Sequence, residues 1–403
     1  MATGTTDPDA RPEPSPPQLG SMQFVDPHRA PGGAERYLVL DPLPDRAGDG
    51  SHELVAGMPA VLDAAFPAEG RMMDVAEWLT QTATTSLLAI SHGQVVHEWY
   101  ADGLGRDTLF LGASAGKSLL AHLVGQASET GRLQLTDTVA DLVPELAGSG
   151  YAAVPIRELT SMTSGVDWVE DHRDPAGPAT RLLNAFTERH SSRELLREVG
   201  SRCPPGTRYE YNTADSQVLD WARERATGVP FADAARKLLG DLGSNQPIAV
   251  AVDGDGVALA GGGLAMTTRD WARVGLLQCH GRWHRALVGR PWTAWSSTPR
   301  LPFVGVGRLP ASLSARLGFG AHWWPLTDDG ARVAADGSRG QFIYLDRPRA
   351  VVVVKTSAWE YPDPMYDRRC RDLSYLGLAA VAESVGAPPL ARHENPSGER
   401  KSA

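Results

Sequence analysis

Lysine is what this chain nearly lacks. Of 39 basic residues only Lys117, Lys237, Lys355 and Lys401 are lysine, so 35 are arginine. A chain that favours arginine this strongly draws attention to each amine it keeps. Cysteine is scarce as well. Cys203, Cys279 and Cys370 are odd in number, widely spaced and form no CxxC pair, which excludes a disulfide scaffold and any thiolate metal pattern. No run of about 18 apolar residues occurs, so no membrane-spanning helix is expected. Met1 to Leu19 has no apolar core of a secretory signal, and a cytoplasmic protein is the expectation. Positive charge is in deficit: 48 acidic residues leave a formal charge of −9, without the basic footprint of a nucleic-acid or anionic-membrane binder. What remains is ordinary globular composition. With 403 residues and 42% hydrophobic, the chain can bury the core of one large domain or two intergrown ones.

Nine of the 30 prolines fall at or before Pro44, so residues 1–70 read as a proline-rich extended arm. Ordered structure is expected from near Met72, with Met73 to Leu79 a short helix. Thr85 to Ile90 and Gln94 to Tyr100 are apolar and β-branched around His92-Gly93, which predicts a hairpin. The pattern returns late, where Gln341 to Leu345 and Ala350 to Thr356 flank Asp346-Arg347-Pro348. Asp372 to Val385 then places Leu373, Leu376, Leu378, Ala379 and Val381 at helical spacing. Residues 115–245 are mostly helical in pattern, and 388–403 form a polar tail. Strands at both ends with helices between predict an α/β (α+β) fold over residues 71–387. Its antiparallel sheet is built from both chain ends, flanked by helices, and carries an inserted helical region.

The segment Leu109 to Leu120, LFLGASAGKSLL, admits three chemistries. Gly116-Lys117-Ser118 ends like a phosphate loop, but the glycine required five positions earlier is Leu111. Gly112-Ala113-Ser114-Ala115-Gly116 matches the nucleophile elbow GxSxG. That reading needs a downstream triad histidine, and neither His322 nor His393 stands in suitable context. The third reading is Ser114-x-x-Lys117 at a helix start. Residues i and i+3 share a helical face, so the amine can reach the hydroxyl. Leu119, Leu120, Leu123, Val124 and Ala127 make the helix apolar enough to be buried, and burial disfavours an ammonium, which suits a neutral amine base. The pair is a weak signal alone and needs partners.

The partners follow in order. Pro204 to Leu219, PPGTRYEYNTADSQVL, has a Pro-Pro-Gly turn, Tyr209 and Tyr211, then a helical pattern. This resembles the Tyr-x-Asn motif of the serine β-lactamase and penicillin-binding-protein superfamily. Ala335 to Gln341, ADGSRGQ, looks like the Lys-Thr-Gly strand, and Gly261 to Gly275 like the family's glycine turn and T-x-x-D-x-A-R helix. Within that superfamily the chain is most similar to 6-aminohexanoate-dimer (nylon-oligomer) hydrolases. Pro144 to Ser149, Asp167 to Pro175, Tyr209 to Gly228 and Trp323-Trp324 carry that likeness.

The resemblance implies a serine hydrolase that cleaves a linear amide or ester through an acyl-serine, with no cofactor or metal. Ser114 would be the nucleophile, Lys117 the base and Tyr211 the third catalytic group, and the backbone N–H groups of Ser114 and Ser338 the oxyanion hole. His172 stands where those hydrolases can carry a tyrosine near the leaving group. Trp323, Trp324, Trp359 and Tyr361 are candidate cleft walls or core side chains, Gly337 would let substrate approach closely, and Arg339 could supply charge. Two departures matter: Thr213 replaces the Asn of Tyr-x-Asn, and Ala335 replaces the Lys of Lys-Thr-Gly. Both argue against recognition of a β-lactam carboxylate. A β-lactamase-fold carboxylesterase or acyltransferase, an elbow-type esterase and an inactive binding homologue are the alternatives. The expected partner is a small-molecule amide or ester, with a homodimer allowed.

Overall fold

A computed structural model describes residues 24–25, 37–43, 54–280, 287–301, 318–359 and 368–386. The larger sheet has six antiparallel strands. From the first third of the chain come β5 (Thr84–Ser91) and β6 (Gln94–Tyr100), and from the last third β10 (Trp324–Pro325), β11 (Arg332–Gly337), β12 (Gln341–Asp346) and β13 (Val351–Ser357), in the order β10-β11-β12-β13-β5-β6. The two ends meet where Val353 pairs with Ala89, so the sheet drawn from both chain ends is present. His92 and Gly93, at φ 51° and 83°, make the tight turn between β5 and β6.

Val351 to Val354 are buried on both faces. Branched side chains suit a pleated surface, and each valine taken from water contributes about 1.5–3 kcal/mol. Val352, Val354, Ile343 and Leu345 lie on the face covered by the helix Thr268–His280, where Val352 and Ile343 pack on Gly275; Val351, Val353, Phe342 and Tyr344 pack under α1 (Val75–Gln81) and the last helix, α11 (Arg368–Val385). Between the strand groups lie α2 (Gly116–Glu129), α3 (Val139–Leu142), α4 (Ile156–Thr160), α5 (Pro178–Thr187), α6 (Ser192–Arg197), α7 (Thr213–Thr227) and α8 (Phe231–Asp241). This is the inserted helical region expected over 115–245. After it come α9 (Thr268–His280) and α10 (Arg290–Ser296). Helix α2 is buried nearly all round and stops at Thr130-Gly131, with Gly131 at φ 71°.

A second sheet was not read from the sequence. Strands β1 (Phe24–Val25), β7 (Leu109–Leu111), β9 (Leu264–Met266), β8 (Ile248–Ala251) and β2 (Tyr37–Leu40) form it in that order. The expectation of order only from Met72 is therefore corrected. Tyr37-Leu38-Val39-Leu40 pairs with β8, and β3 (Ala65–Ala68) pairs with β4 (Arg71–Asp74). A four-residue strand among prolines has no local signal, because its partner lies about two hundred residues away. The early helix also starts later than expected. Met73 pairs with Phe66, and Asp74 caps α1 by accepting from the Glu77 amide at 2.8 Å. Tyr361, His393, Lys401 and the tail from 388 lie outside the described residues.

Candidate active site

Strand β7 runs straight into the segment that carries Ser114. Residues Ala113–Ala115 form one 3-10 turn and α2 continues from it. Two features shape the turn. A Cβ on Gly112 would lie 2.1 Å from the ring of Trp271, whose indole N–H donates to the Phe110 carbonyl at 3.1 Å. Ala113 holds φ 45°, a left-handed conformation that costs an L-residue about 1–3 kcal/mol and persists only where the surroundings impose it. The strained residue delivers Ser114 half-exposed at the start of a buried helix.

Lys117 is 2% exposed. Its Nζ lies 3.1 Å from Ser114 Oγ, 3.2 Å from Thr213 Oγ1 and 2.6 Å from the Gly261 carbonyl. The i,i+3 geometry expected of Ser114 and Lys117 is present. Gly261 is a glycine for a reason visible here: a Cβ there would be 3.1 Å from Ser216, 3.3 Å from Thr213 and 3.5 Å from the lysine nitrogen.

Tyr211 completes the cluster from the loop ahead of α7. Its ring centroid lies 5.2 Å from Lys117 Nζ. Trp324 stacks on that ring at 6.0 Å and 13°, and Phe319 meets it edge-on at 6.4 Å. Tyr209 instead turns to Phe319, at 5.9 Å. The structure places the Tyr211 ring beside the lysine. Helix α7 is capped by Asn212, whose side chain accepts from the Asp215 amide at 3.1 Å, so Thr213 enters as the first helical residue.

Glu170 was missed by sequence reasoning. Its carboxylate accepts from the Thr213 amide at 3.0 Å, from the Thr213 hydroxyl and from the Trp168 indole N–H at 2.7 Å. His172 Nε2 lies 3.5 Å away. Burial works to raise this carboxyl, but the hydrogen bond and charge of His172, the charge of Lys117 and the Thr213 amide overcome it and hold it well below the usual range. The only sequence signal was its membership of the Asp167 to Pro175 stretch. A loop carboxylate two residues from a histidine has no periodicity to betray it.

Opposite Ser114, β11 brings Gly337 against the turn. A Cβ there would fall 2.2 Å from the Gly112 carbonyl and 3.0 Å from the Ala115 amide. The close approach that Gly337 permits is therefore to the protein's own turn, which corrects its expected role toward substrate. Ser338 follows it, half-buried at the β11–β12 turn. Ala335 is buried, while Asp336 points to the other face, held by Arg371 at 2.7 and 2.8 Å and by the Tyr375 hydroxyl at 2.9 Å.

The remaining candidates separate. Trp324 supports Tyr211. Trp323, one residue earlier, is fully buried with its ring 5.9 Å from that of His122, so it has no surface left for a substrate. Trp359 is 2% exposed, donates to the Thr82 carbonyl at 2.8 Å and packs as core. Arg339, at φ 63°, commits Nη1 to the Trp359 carbonyl at 3.1 Å. His172 is half-buried and engaged with Glu170.

His322 is no triad histidine. Its ring nitrogens meet the Thr160 carbonyl at 2.8 Å and Ser216 Oγ at 3.0 Å, and burial pushes it down to about 3. Nor is there a phosphate loop: Lys117 is sequestered, and Ser118 donates inward to the His322 carbonyl at 2.7 Å. The three cysteines are free thiols. Among the described residues no helix is long and apolar enough to cross a membrane.

The beta-lactamase family model matches residues 74–373, most of the chain, with Ser114, Lys117, Glu170, Tyr211 and Ser338 inside the match. The chain belongs to the beta-lactamase family. A 6-aminohexanoate-dimer hydrolase from Paenarthrobacter ureafaciens is 29% identical over 351 residues, covering 80% of this chain and 87% of the relative. A shorter match, 30% identical over 156 residues, covers 38% of this chain and 39% of penicillin-binding protein 4 from Amycolatopsis lactamdurans. Among solved structures, the "Putative 6-aminohexanoate-dimer hydrolase from Bacillus anthracis" superposes with a TM-score of 0.67 at 21% identity, covering 85% of this chain and 92% of that one. EstCE1, a hydrolase with promiscuous acyltransferase activity, gives a TM-score of 0.56 at 18% identity, covering 74% and 98%. The superfamily resemblance and the beta-lactamase/transpeptidase-like fold are thus those expected from the motifs. This beta-lactamase-family chain is similar to 6-aminohexanoate-dimer hydrolases over most of its length.

Proposed function

We propose that this protein is a serine hydrolase that cleaves a linear amide or ester through an acyl-serine at Ser114. One observation carries the reading: a buried amine, Lys117 Nζ, lies 3.1 Å from the half-exposed Ser114 hydroxyl with the Tyr211 ring beside it. Lys117, as the neutral amine, takes the Ser114 proton while Oγ bonds to the substrate carbonyl carbon. Arginine could not serve there, because a guanidinium keeps its proton at neutral pH. The oxyanion is received by the backbone N–H groups of Ser114 and Ser338, a pairing supported by the close packing of Gly337 on the Ser114 turn. One such donor is worth about 10²–10³ in rate. The leaving amine or alcohol departs with a proton delivered by Tyr211, which takes back a proton from the Lys117 ammonium beside it, so that Lys117 is again the neutral amine. Water then attacks the acyl-enzyme, giving up its proton to Lys117, and that proton passes to Ser114 Oγ as the carbonyl–Oγ bond breaks and the acid leaves.

The substrate class follows from what is missing. With Ala335 in the place of the strand lysine and Thr213 in place of the amide, no side chain at those two positions offers a cation or amide to a carboxylate and an acylamino group. Linear substrates such as p-nitrophenyl esters and aminohexanoate oligomers are favoured over β-lactams. The test is a panel of p-nitrophenyl esters, nitrocefin and aminohexanoate oligomers with wild type, Ser114→Ala and Lys117→Ala, together with fluorophosphonate labelling. Both variants should lose at least about 10³-fold in turnover. Near-normal turnover by Lys117→Ala would sink the lysine-base mechanism, and nitrocefin as the best substrate would sink the argument from Ala335 and Thr213.

A further inference from the structure

Lys117, Thr213 and Glu170 form a chain whose polarity is set by its last member. Glu170 accepts the proton of the Thr213 hydroxyl. With that proton committed, Thr213 Oγ1 can serve Lys117 only as an acceptor, at 3.2 Å. The Gly261 carbonyl, which has no proton to give, accepts a second N–H at 2.6 Å. A neutral lysine has two N–H bonds and one lone pair. Gly261 and Thr213 take the two N–H bonds, and the remaining direction is the one that faces Ser114 Oγ at 3.1 Å.

Resting on the reading of Ser114 as nucleophile, we propose that Glu170 is a positioning residue. Acting through Thr213, it aims the lone pair of Lys117 at the Ser114 proton, and its negative charge sets the pH above which that lone pair is available.

Other charged and titratable groups surround the relay. Tyr211 and His322 face Lys117, and His322 is kept neutral by burial. His172, Asp215 and Tyr151 face Glu170. Burial pushes Asp215 up to about 8, where the Tyr151, Ser164 and Asn212 side chains donate to Oδ1 at 3.1, 2.8 and 2.8 Å. The ionised carboxylate in direct line with the lysine is Glu170. The hydrogen bond and charge of His172, 3.5 Å away, together with the charge of Lys117 and the first amide of the 15-residue helix α7, keep it ionised.

The rate at which a fluorophosphonate modifies Ser114, followed against pH, reads the base without requiring the natural substrate. Thr213→Val keeps the shape and removes the relay, and should slow labelling at pH 7.5 about 10- to 100-fold. Thr213→Ser restores the hydroxyl and should label within about threefold of wild type. Glu170→Gln removes an anion that stabilises the ammonium, so the acid limb of the profile should move down by about one pH unit. Thermal unfolding of each variant reports whether the fold survives, and the Thr213 pair carries the test if Glu170→Gln does not fold. Wild-type labelling speed in Thr213→Val overturns the relay. So does a folded Glu170→Gln that is uniformly slower with its acid limb unmoved, which marks a structural role only. Failure of wild type to label at Ser114 is a separate result that removes the acyl-serine reading itself.

Discussion

Replacing Gly337 by alanine adds one methyl group where the structure has room for none. Gly337 does not adopt positive φ, so alanine meets no backbone penalty and the effect is purely steric. The new Cβ would stand 2.2 Å from the Gly112 carbonyl, where real Cβ atoms essentially never come within 3.0 Å, so strand β11 and the Ser114 turn must part by roughly 0.8 Å. Both contacts, to Gly112 and to the Ala115 amide, are backbone, and neither can swing aside as a side chain would. The strain should cost about 1–3 kcal/mol of stability. The larger effect falls on catalysis, because the gap opens between the two backbone donors assigned to the oxyanion, and a misplacement near 1 Å costs about 10²-fold. The assay is kcat and KM on a p-nitrophenyl ester, with the unfolding midpoint measured alongside. A fall in kcat of about 10²-fold with KM little changed is expected. Gly116→Ala is the control, since its Cβ would meet nothing nearer than Leu264 at 3.7 Å. It should retain activity, whereas an elbow-type esterase would need that glycine. A Gly337→Ala enzyme with wild-type kcat would refute the placement of the oxyanion site between β11 and the turn.

Two further perturbations probe the support of the site and the core behind it. Trp324→Leu removes the ring stacked on Tyr211 and should lower kcat about tenfold or more while Ser114 still reacts with fluorophosphonate; unchanged kcat would show that Tyr211 does not depend on that stack. Lys355 is fully buried among Trp78, Phe342 and Trp359, its ammonium donating to Ser357, and burial pulls it down to about 7. Between pH 7 and 10.5 the unfolded chain therefore holds a proton that the native protein lacks, and native stability rises with pH across that window. Lys355→Met removes this slope. It should raise the unfolding midpoint at pH 6–7, with the advantage shrinking toward pH 10, as thermal unfolding at several pH values would show. A midpoint difference constant with pH would place the lysine's charge elsewhere.

Much of the site was legible because it is local. Ser114 and Lys117 are one helical turn apart, so sequence spacing alone places amine and hydroxyl together once a helix is read. Tyr211 was singled out from Tyr209 only by the family resemblance, which places the tyrosine immediately ahead of Asn212-Thr213-Ala214. The adjacent pair Trp323-Trp324 was not legible, because neighbouring residues at a strand entrance point to opposite sides. Which of them meets Tyr211 depends on the pairing of Trp324 with Ala334.

What the sequence by itself determined is therefore local: a serine and an amine one helical turn apart, and strands at both ends around a helical middle. The tertiary structure decided the rest. It brought β11 against the Ser114 turn, gave Gly337 its role, added the second sheet through Tyr37–Leu40, and carried the Glu170 loop to the first amide of α7. Each of these is a contact between segments far apart in the chain, where no spacing rule operates and only the burial of both partners fixes the register.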